Sequence, residues 1–441
     1  MNQKSRKSIA QQIVSLANSA ITEHEQIILI MKDYTSLPET PFRLIRSINA
    51  EGIVFMLVDN AINEYEKLLG RLLQQEGWQE KFSAEYLSKA MQRILTTLLK
   101  EGKTTESAGR LFDHLTEEFD NYSREYIIYV PLAGISLYTD SFPMGKITFR
   151  KMTDAYIIDL FDRMKAITML TLNPAEEKEA NVSRTKQRLD SLKGTVCAEF
   201  YVSAEPQRAR ERAEEEVRHV LDLLRYAISV LSSRNLNIAV GLQGEVVNVI
   251  RTTPTLALDG QSYELPSSYK GPLQPFELSP ENIQKMEQIG IFKVADVLKI
   301  PGKMTDFEKT LLHGIHWFAT SQTQFEKENE FLNLMTCLET FLTPSGTTLI
   351  SPSLANQVAE GTARLLTAEL KNRVALKERV KSLYGTRSGV SHGGEKAILE
   401  SDLADLRSIA KELIFQMIER KDEFPTHKTL LKWLDERRLA G

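Results

Sequence analysis

The sequence contains very little cysteine: Cys197 and Cys337 are its only two, and they lie far apart. Their spacing matches neither a disulfide framework nor a zinc-binding motif, so we interpret each as a small buried hydrophobic residue. The absence of a disulfide pattern gives no indication of an oxidising compartment and favours a cytoplasmic protein. A P-loop is also missing, because Glu395 stands where the lysine of that motif is needed. The sequence therefore predicts neither a metal site nor a cofactor.

Long hydrophobic runs and an excess of charge are absent as well. No apolar stretch approaches the roughly 20 residues that a membrane-spanning helix needs, and the strongest, at 126–138, is interrupted by Pro131 and Gly134. The net charge is only −4, so a surface for RNA has to be a local patch. A chain of 441 residues is too long for one ordinary core, which predicts two or three domains. We expect a soluble protein with no membrane partner.

The first two-thirds of the chain divide by pattern into two regions. Residues 1–124 show the three- and four-residue steps of amphipathic helices, expected near 3–31, 50–75, 83–101 and 105–120. Residues 125–275 contain runs rich in β-branched and aromatic residues, which predict strands near 126–130, 135–138, 147–149, 196–202, 238–240 and 246–250. Helices are expected between them at 153–170 and 205–233, and the Pro- and Gly-rich stretch 252–280 is interpreted as a connection.

Residues 276–441 form the third predicted region, which is helical to its end. Helices are expected near 280–298, 305–323, 326–343, 352–369, 371–384, 398–420 and 427–437. No internal repeat of solenoid length is present, so these helices should form a bundle. The fold class we predict is mainly α, with an α+β module in the middle and a helical bundle at the C-terminal end.

The run Leu383-Tyr-Gly-Thr-Arg-Ser-Gly-Val-Ser-His-Gly-Gly394 carries chemistry that a connection does not need. Its glycines suit a tight turn between two helices, and Arg387 and His392 lie between them with four residues separating the pair. A guanidinium binds phosphate oxygens with a planar set of donors, and an imidazole exchanges a proton near neutral pH. Together they suffice for cleavage of RNA by its own 2′-hydroxyl. The structural alternative is an arginine that caps helix carbonyls and a histidine satisfied in a turn.

These residues resemble the signature of the HEPN superfamily, in which R-x4–6-H lies between the last helices of the core. The match is most similar to the Apea-like branch, with its "LY..RS...HGG" run. Two upstream helices support it: residues 331–342 resemble that branch's "FL.L..ALE.LL" helix, and residues 315–319 are similar to the helix before it. The resemblance covers about 300–425.

The resemblance implies a HEPN-type helical bundle with metal-independent endoribonuclease activity and RNA as the substrate. It also implies a homodimer and a role in antiphage defence or as a toxin. In our interpretation residues 1–275 sense a trigger, such as a phage-derived one, or restrain the activity. The catalytic residues would be Arg387 as the phosphate ligand, His392 as the acid and base, and Glu339, which orients Arg387. A His-x-Tyr continuation is absent, since Gly393 and Gly394 follow, so control by adenylylation is not expected.

Other side chains are candidates for supporting such a site. Glu339 is the one acid on the otherwise apolar face of its helix, and we expect it to hold Arg387 bidentate; the alternative is a boundary glutamate that reaches solvent. We assign a second set of residues to RNA binding, as a basic stripe, a polar contact and a ring that stacks on a base: Arg373, Lys377, Lys381, Ser388 and Tyr384. The alternatives are a solvated basic face and a tyrosine packed under the turn.

A different class of function fits the same residues. A non-catalytic HEPN bundle could dimerise, hold a nucleotide or serve as the regulatory subunit of a defence complex, with Arg387 and His392 in structural roles. His313 and His316 form an H-x-x-H pair, but no carboxylate or cysteine near them in the sequence completes a zinc set.

Overall fold

The structure is a computed structural model of the full chain. It describes residues 3–22, 45–50, 52–75, 77–122, 124–171, 175–231, 240–245, 249–252, 255–256, 263–264, 267–270, 275–344, 352–391 and 398–439. The chain divides into two compact units, the first of residues 1–128 and 201–213 and the second of residues 129–200 and 214–441. The described residues are mainly helical, and none of their helices combines the length and apolarity needed to cross a membrane.

The first unit packs helices against one β-hairpin. Its elements are α1 Gln3–Ser19, β1 Ile45–Ala50, β2 Ile53–Val58, α2 Asn60–Leu73, α3 Trp78–Lys81, α4 Ala84–Glu101 and α5 Thr105–Asp120. The helix predicted over 50–75 is wrong at its start, because residues 53–58 pair antiparallel with β1. A short apolar run is compatible with either structure, and pairing with β1, the neighbouring strand of the hairpin, decided between them.

The middle of the chain forms the predicted sheet. Its elements are β3 Glu125–Ala133, β4 Ile135–Leu137, β5 Ser141–Met144, β6 Ile147–Lys151, α6 Asp154–Thr171, α7 Ala175–Asp190, β7 Val196–Ser203, α8 Pro206–Leu231 and β8 Gly241–Leu242. Five strands follow the order β5-β6-β7-β3-β8, and β6 and β7 are antiparallel. The strands expected at 126–130, 135–138, 147–149 and 196–202 and the long helix after them are confirmed.

The stretch interpreted as a plain connection contains short strands. They are β9 Val249–Thr252, β10 Thr255–Leu256, β11 Tyr263–Glu264, β12 Ser267–Lys270 and β13 Phe276–Leu278. Strand β12 pairs antiparallel with β9, β10 pairs with β11, and β13 adds in parallel to β4. Residues 238–239 and 246–248 of the two strands expected before this stretch lie outside the described residues.

Helices fill the rest of the second unit. They are α9 Pro280–Gln288, α10 Ile291–Val297, α11 Asp306–Ser321, α12 Lys327–Leu342, α13 Pro352–Leu366, α14 Leu370–Ser391, α15 Glu400–Glu419 and α16 His427–Leu439. The single helix expected over 280–298 is divided by Gly290, whose φ of 74° lies in the left-handed region. The predicted boundary of the domain at 275 is not a boundary between the two units.

Within the run 383–394, a turn at Gly385 or Gly389 is wrong, because helix α14 includes both glycines. It continues through Gly385 and Gly389 to Ser391, seven residues past the predicted end at 384. A glycine inside a helix costs about 1 kcal/mol relative to alanine, which is too little to end a helix that tertiary packing holds. Val380, Leu383 and Tyr384 supply that packing, since all three are buried.

Helices α11 and α12 approach each other closely at Gly314. A Cβ atom at this position would overlap the ring of Phe341, which is itself fully buried. Hydrogen in place of a side chain therefore lets the two helices pack at this distance.

Replacing Gly314 with alanine should destabilise the second unit by about 1–3 kcal/mol, because the Phe341 ring has to leave its position in a packed core. Gly385→Ala is the matched control, since nothing lies within 4 Å of its added Cβ and the helix gains propensity. Urea unfolding of both variants measures the difference. Equal effects of the two substitutions would contradict the close approach.

Candidate active site around Arg387

Arg387 is held against α12 by an ion pair with Glu339. Nη2 of Arg387 donates to Oε2 of Glu339 over 2.9 Å, and each side chain is only 15% exposed. A carboxylate and a guanidinium removed from water in this way are expensive to desolvate separately, so each needs the other. The pairing predicted from the sequence is present.

Tyr384 completes this pair from one turn earlier on α14. Its hydroxyl donates to Oε1 of Glu339 over 2.7 Å, and its ring centroid lies 5.4 Å from the guanidinium carbon of Arg387. Burial and the hydrogen bond to Glu339 raise the pKa of the Tyr384 hydroxyl, so it remains a protonated donor. Each carboxylate oxygen of Glu339 thus receives a different donor, and the bidentate Arg387–Glu339 geometry we expected is wrong.

The burial of Tyr384 also corrects its assignment to RNA binding. The residue is 2% exposed, so its ring is not available to stack on a base. Its contacts instead make it a positioning residue, which orients Glu339 by a hydrogen bond and supports Arg387 with its ring.

Two nitrogen atoms of Arg387 carry N–H groups that can donate further hydrogen bonds. Nε and Nη1 are buried, and neither has a hydrogen-bond partner among the residues that the structure describes. A buried N–H group without an acceptor costs about 1–3 kcal/mol, so this position favours an added acceptor. An anion with several oxygens, such as a phosphate, matches the planar donor set of a guanidinium.

Two further predicted residues of the motif, His392 and Ser388, have side chains that the structure does not describe. His392 lies outside the described residues, as do Gly393 and Gly394. Ser388 belongs to α14, and its side chain is likewise outside what the structure describes. The roles assigned to His392 and Ser388 stay predictions.

The basic side chains that we assigned to RNA binding along α14 make hydrogen bonds and ion pairs with other residues of the protein. Arg373 donates to the carbonyls of Thr367 and Ala368, at 3.4 and 3.0 Å. Lys377 pairs with Glu360 at 3.3 Å, and Lys381 pairs with Glu378 at 3.2 Å. An RNA backbone that followed these cations would have to compete with the carboxylates, so their role in RNA binding stays a prediction.

A second polar cluster, which sequence reasoning missed, joins α8 to α11. Nδ1 of His316 lies 2.8 Å from Oδ2 of Asp222, a buried carboxylate whose other oxygen accepts from Nη1 of Arg225 at 3.1 Å. On α11 itself, the indole N–H of Trp317 donates to Nε2 of His313 over 3.0 Å. The carboxylate that appeared to be missing beside the H-x-x-H pair is thus supplied from 94 residues away in the sequence.

The pKa values of the two histidines of this cluster are shifted in opposite directions. The hydrogen bond and charge of Asp222 raise the pKa of His316, whereas burial and then the charge of His316 lower the pKa of His313. Within the described part of the chain, no group of three or more His, Cys, Asp or Glu side chains is arranged to hold a metal ion.

Comparison with known proteins found no relative. No protein-family model, no curated protein and no solved structure matches the chain. The HEPN resemblance therefore depends on the residues of the 383–394 run and on the upstream matches at 315–319 and 331–342.

A double-mutant cycle should distinguish the pair at Arg387 from a surface pair. Glu339→Gln, which keeps an acceptor for Tyr384, and Arg387→Met should show a coupling free energy above about 1 kcal/mol because both groups are mostly buried. The matched cycle at Glu281 and Lys285, whose side chains are 75% and 46% exposed, should give about 0.5 kcal/mol or less. Denaturant unfolding measures all seven proteins, since the two cycles share the wild type, and equal couplings would contradict a specially stabilised Arg387.

The Asp222–His316 contact should make stability depend on pH. A raised pKa in the folded chain means that the contact stabilises fully below the ordinary histidine value of about 6.5 and weakens as pH rises through the raised value. The charged groups that face His316 are Asp222 and Arg225 on α8 and His313 on α11. The free energy of unfolding should therefore be higher for wild type than for His316→Asn. This difference should be largest at low pH.

The expected difference is about 1 kcal/mol or less, because half of the His316 side chain is exposed. Unfolding measured at several pH values between about 5 and 8 tests the sign. In an Asp222→Asn background the pH dependence of the difference should disappear. A difference that grows with pH would overturn the interpretation.

Proposed function

We propose that this protein is an endoribonuclease whose active site contains Arg387 and His392. The ribose 2′-oxygen attacks the adjacent phosphorus, so a 2′-O–P bond forms and the P–O5′ bond breaks. The products are a 2′,3′-cyclic phosphate and a 5′-hydroxyl end. The proton of the 2′-hydroxyl goes to a base, and the 5′-oxygen receives a proton as it leaves.

Arg387 and His392 divide this chemistry between charge and proton transfer. The guanidinium of Arg387 binds the phosphate and stabilises the charge that develops on its oxygens. The imidazole of His392 moves a proton at the 2′-hydroxyl or at the leaving 5′-oxygen. Glu339 and Tyr384 are positioning residues, because they hold the guanidinium rather than touch the substrate.

The observation that carries the proposal is the state of the Arg387 guanidinium. Glu339 holds one of its nitrogens, while Nε and Nη1 are buried with no acceptor among the described residues. Five positions further along the sequence stands a histidine, the side chain whose ordinary pKa suits proton transfer near neutral pH. Cleavage by the 2′-hydroxyl requires both a preoriented cation and an acid–base group.

The competing proposal is a non-catalytic helical module in which Arg387 serves packing alone. The low exposure of Arg387 and its ion pair favour that view, because both are also features of structural arginines. The two proposals differ in what happens to RNA when Arg387 or His392 is removed.

Arg387→Ala and His392→Ala should each lower the rate of RNA cleavage by at least about a hundredfold, the usual effect of losing an electrostatic or acid–base group. Lys285→Ala, which removes an exposed cation from the same unit, is the matched control and should cleave normally. The assay uses labelled single-stranded RNA, and mass spectrometry identifies the cyclic phosphate ends. Circular dichroism confirms that each variant is folded.

Cleavage should persist in an excess of chelator, since none of the proposed steps uses a metal. Loss of cleavage on chelation would contradict the mechanism. If wild type and both variants treat RNA alike, the endoribonuclease proposal fails and the non-catalytic module gains support.

A further inference from the structure

Helix α11 carries three aromatic side chains that form one cluster outside the proposed active site. The rings of His313 and His316 are nearly parallel, with 23° between their planes and 6.5 Å between their centroids. The indole of Trp317 lies 5.8 and 5.7 Å from the two imidazoles and is tilted against both. We name His313, His316 and Trp317 the ring cluster.

Hydrogen bonds fix the orientation of the rings. His313 is fixed by the indole N–H of Trp317, at 3.0 Å, and His316 is fixed by Asp222, at 2.8 Å. Asp222 is buried and is held in turn by Arg225, whose Nε donates to the carbonyl of Val240 over 2.8 Å. Rings that are already oriented lose little freedom when a ligand binds, which favours recognition by this cluster.

The ring cluster faces solvent, although Asp222, which orients His316, is buried. The side chain of His316 is 51% exposed, whereas that of Asp222 is 7% exposed. His313 is exposed as well, and Trp317 is half-buried. A buried carboxylate that positions an accessible imidazole is an arrangement used for binding and proton transfer rather than for packing alone.

The exposed imidazole rings suit a flat heterocycle, because histidine is among the aromatic side chains on which unstacked bases stack. The two hydrogen bonds do not involve Nδ1 of His313 or Nε2 of His316. These nitrogens can bond to a base or, when His316 is protonated, attract a phosphate.

We propose that the ring cluster is a nucleobase-binding subsite for single-stranded RNA. The choice of RNA as the ligand rests on the proposed function. Stacking on aromatic side chains together with a nearby positive charge is the means by which proteins bind single-stranded nucleic acids. The subsite recognises the base, whereas the proposed active site acts on the phosphodiester.

The test measures binding to the full-length protein of a fluorescent oligoribonucleotide with 2′-O-methyl groups, which 2′-hydroxyl attack cannot cleave. His313→Gln keeps an acceptor for the indole of Trp317, and His316→Asn keeps a donor for Asp222, while both remove rings. The double variant should raise Kd at least about fivefold, the lower end of the effect of losing one stacked base. Tyr138→Gln, which removes a tyrosine that is 68% exposed, is the matched control and should leave Kd unchanged.

An oligonucleotide with abasic positions separates stacking from attraction by charge. It should bind wild type more weakly than the intact strand does, and it should lose less affinity in the double variant than the intact strand loses. If the abasic strand loses as much affinity in the double variant as the intact strand does, charge alone binds the RNA and the subsite is overturned. An unchanged Kd for the intact strand in the double variant overturns it as well.

The outcome for the subsite is distinguishable from the outcome for the endoribonuclease. Binding of the methylated strand that depends on the rings supports the subsite even if no preparation cleaves RNA. Cleavage that depends on Arg387, together with an unchanged Kd in the double variant, overturns the subsite and leaves the proposed function in place. Absence of any binding of the intact strand to wild type also overturns the subsite.

Discussion

The ion pair between Glu339 and Arg387 is the interaction on which the candidate site depends. Each group is removed from most of its water, and neither would be stable there without a partner of opposite charge. Because one Glu339 oxygen accepts from Arg387 and the other from Tyr384, the carboxylate links two positions of α14 to α12. This linkage fixes where the guanidinium lies, which is the requirement for any use of Arg387 in binding a phosphate.

Because α14 continues past its glycines, the helix determines the direction from which Arg387 approaches Glu339. In a tight turn after residue 384, Arg387 would have belonged to a loop, and its orientation relative to Tyr384 would have been set by backbone dihedrals. In a helix the two residues stand three positions apart on one face, so that both reach Glu339. The regular helix therefore explains why a tyrosine and an arginine share a single carboxylate.

Asp222 and Glu339, two poorly exposed carboxylates of the second unit, each orient another side chain. Asp222 holds His316 much as Glu339 holds Arg387, and in both cases another donor occupies the second carboxylate oxygen. The two sites differ in exposure, because His316 faces solvent while Arg387 is largely enclosed. The difference suits the ring cluster to ligand capture and Arg387 to stabilising charge in a site with little water.

Local pattern determined the helical character of most of the chain and four strands of the middle region, and together with the family resemblance it predicted the pairing of Glu339 with Arg387. Those features follow from periodicity, from β-branched runs and from the cost of burying a lone acid on an apolar face, all of which can be read along the chain. Only the tertiary structure decided that residues 53–58 are a strand, that α14 passes through Gly385, that Tyr384 is buried and that Asp222 meets His316. Each of these depends on strand pairing, on a contact with a residue distant in sequence, or on packing that outweighs a small local preference. The spacing of nearby residues encodes none of the three.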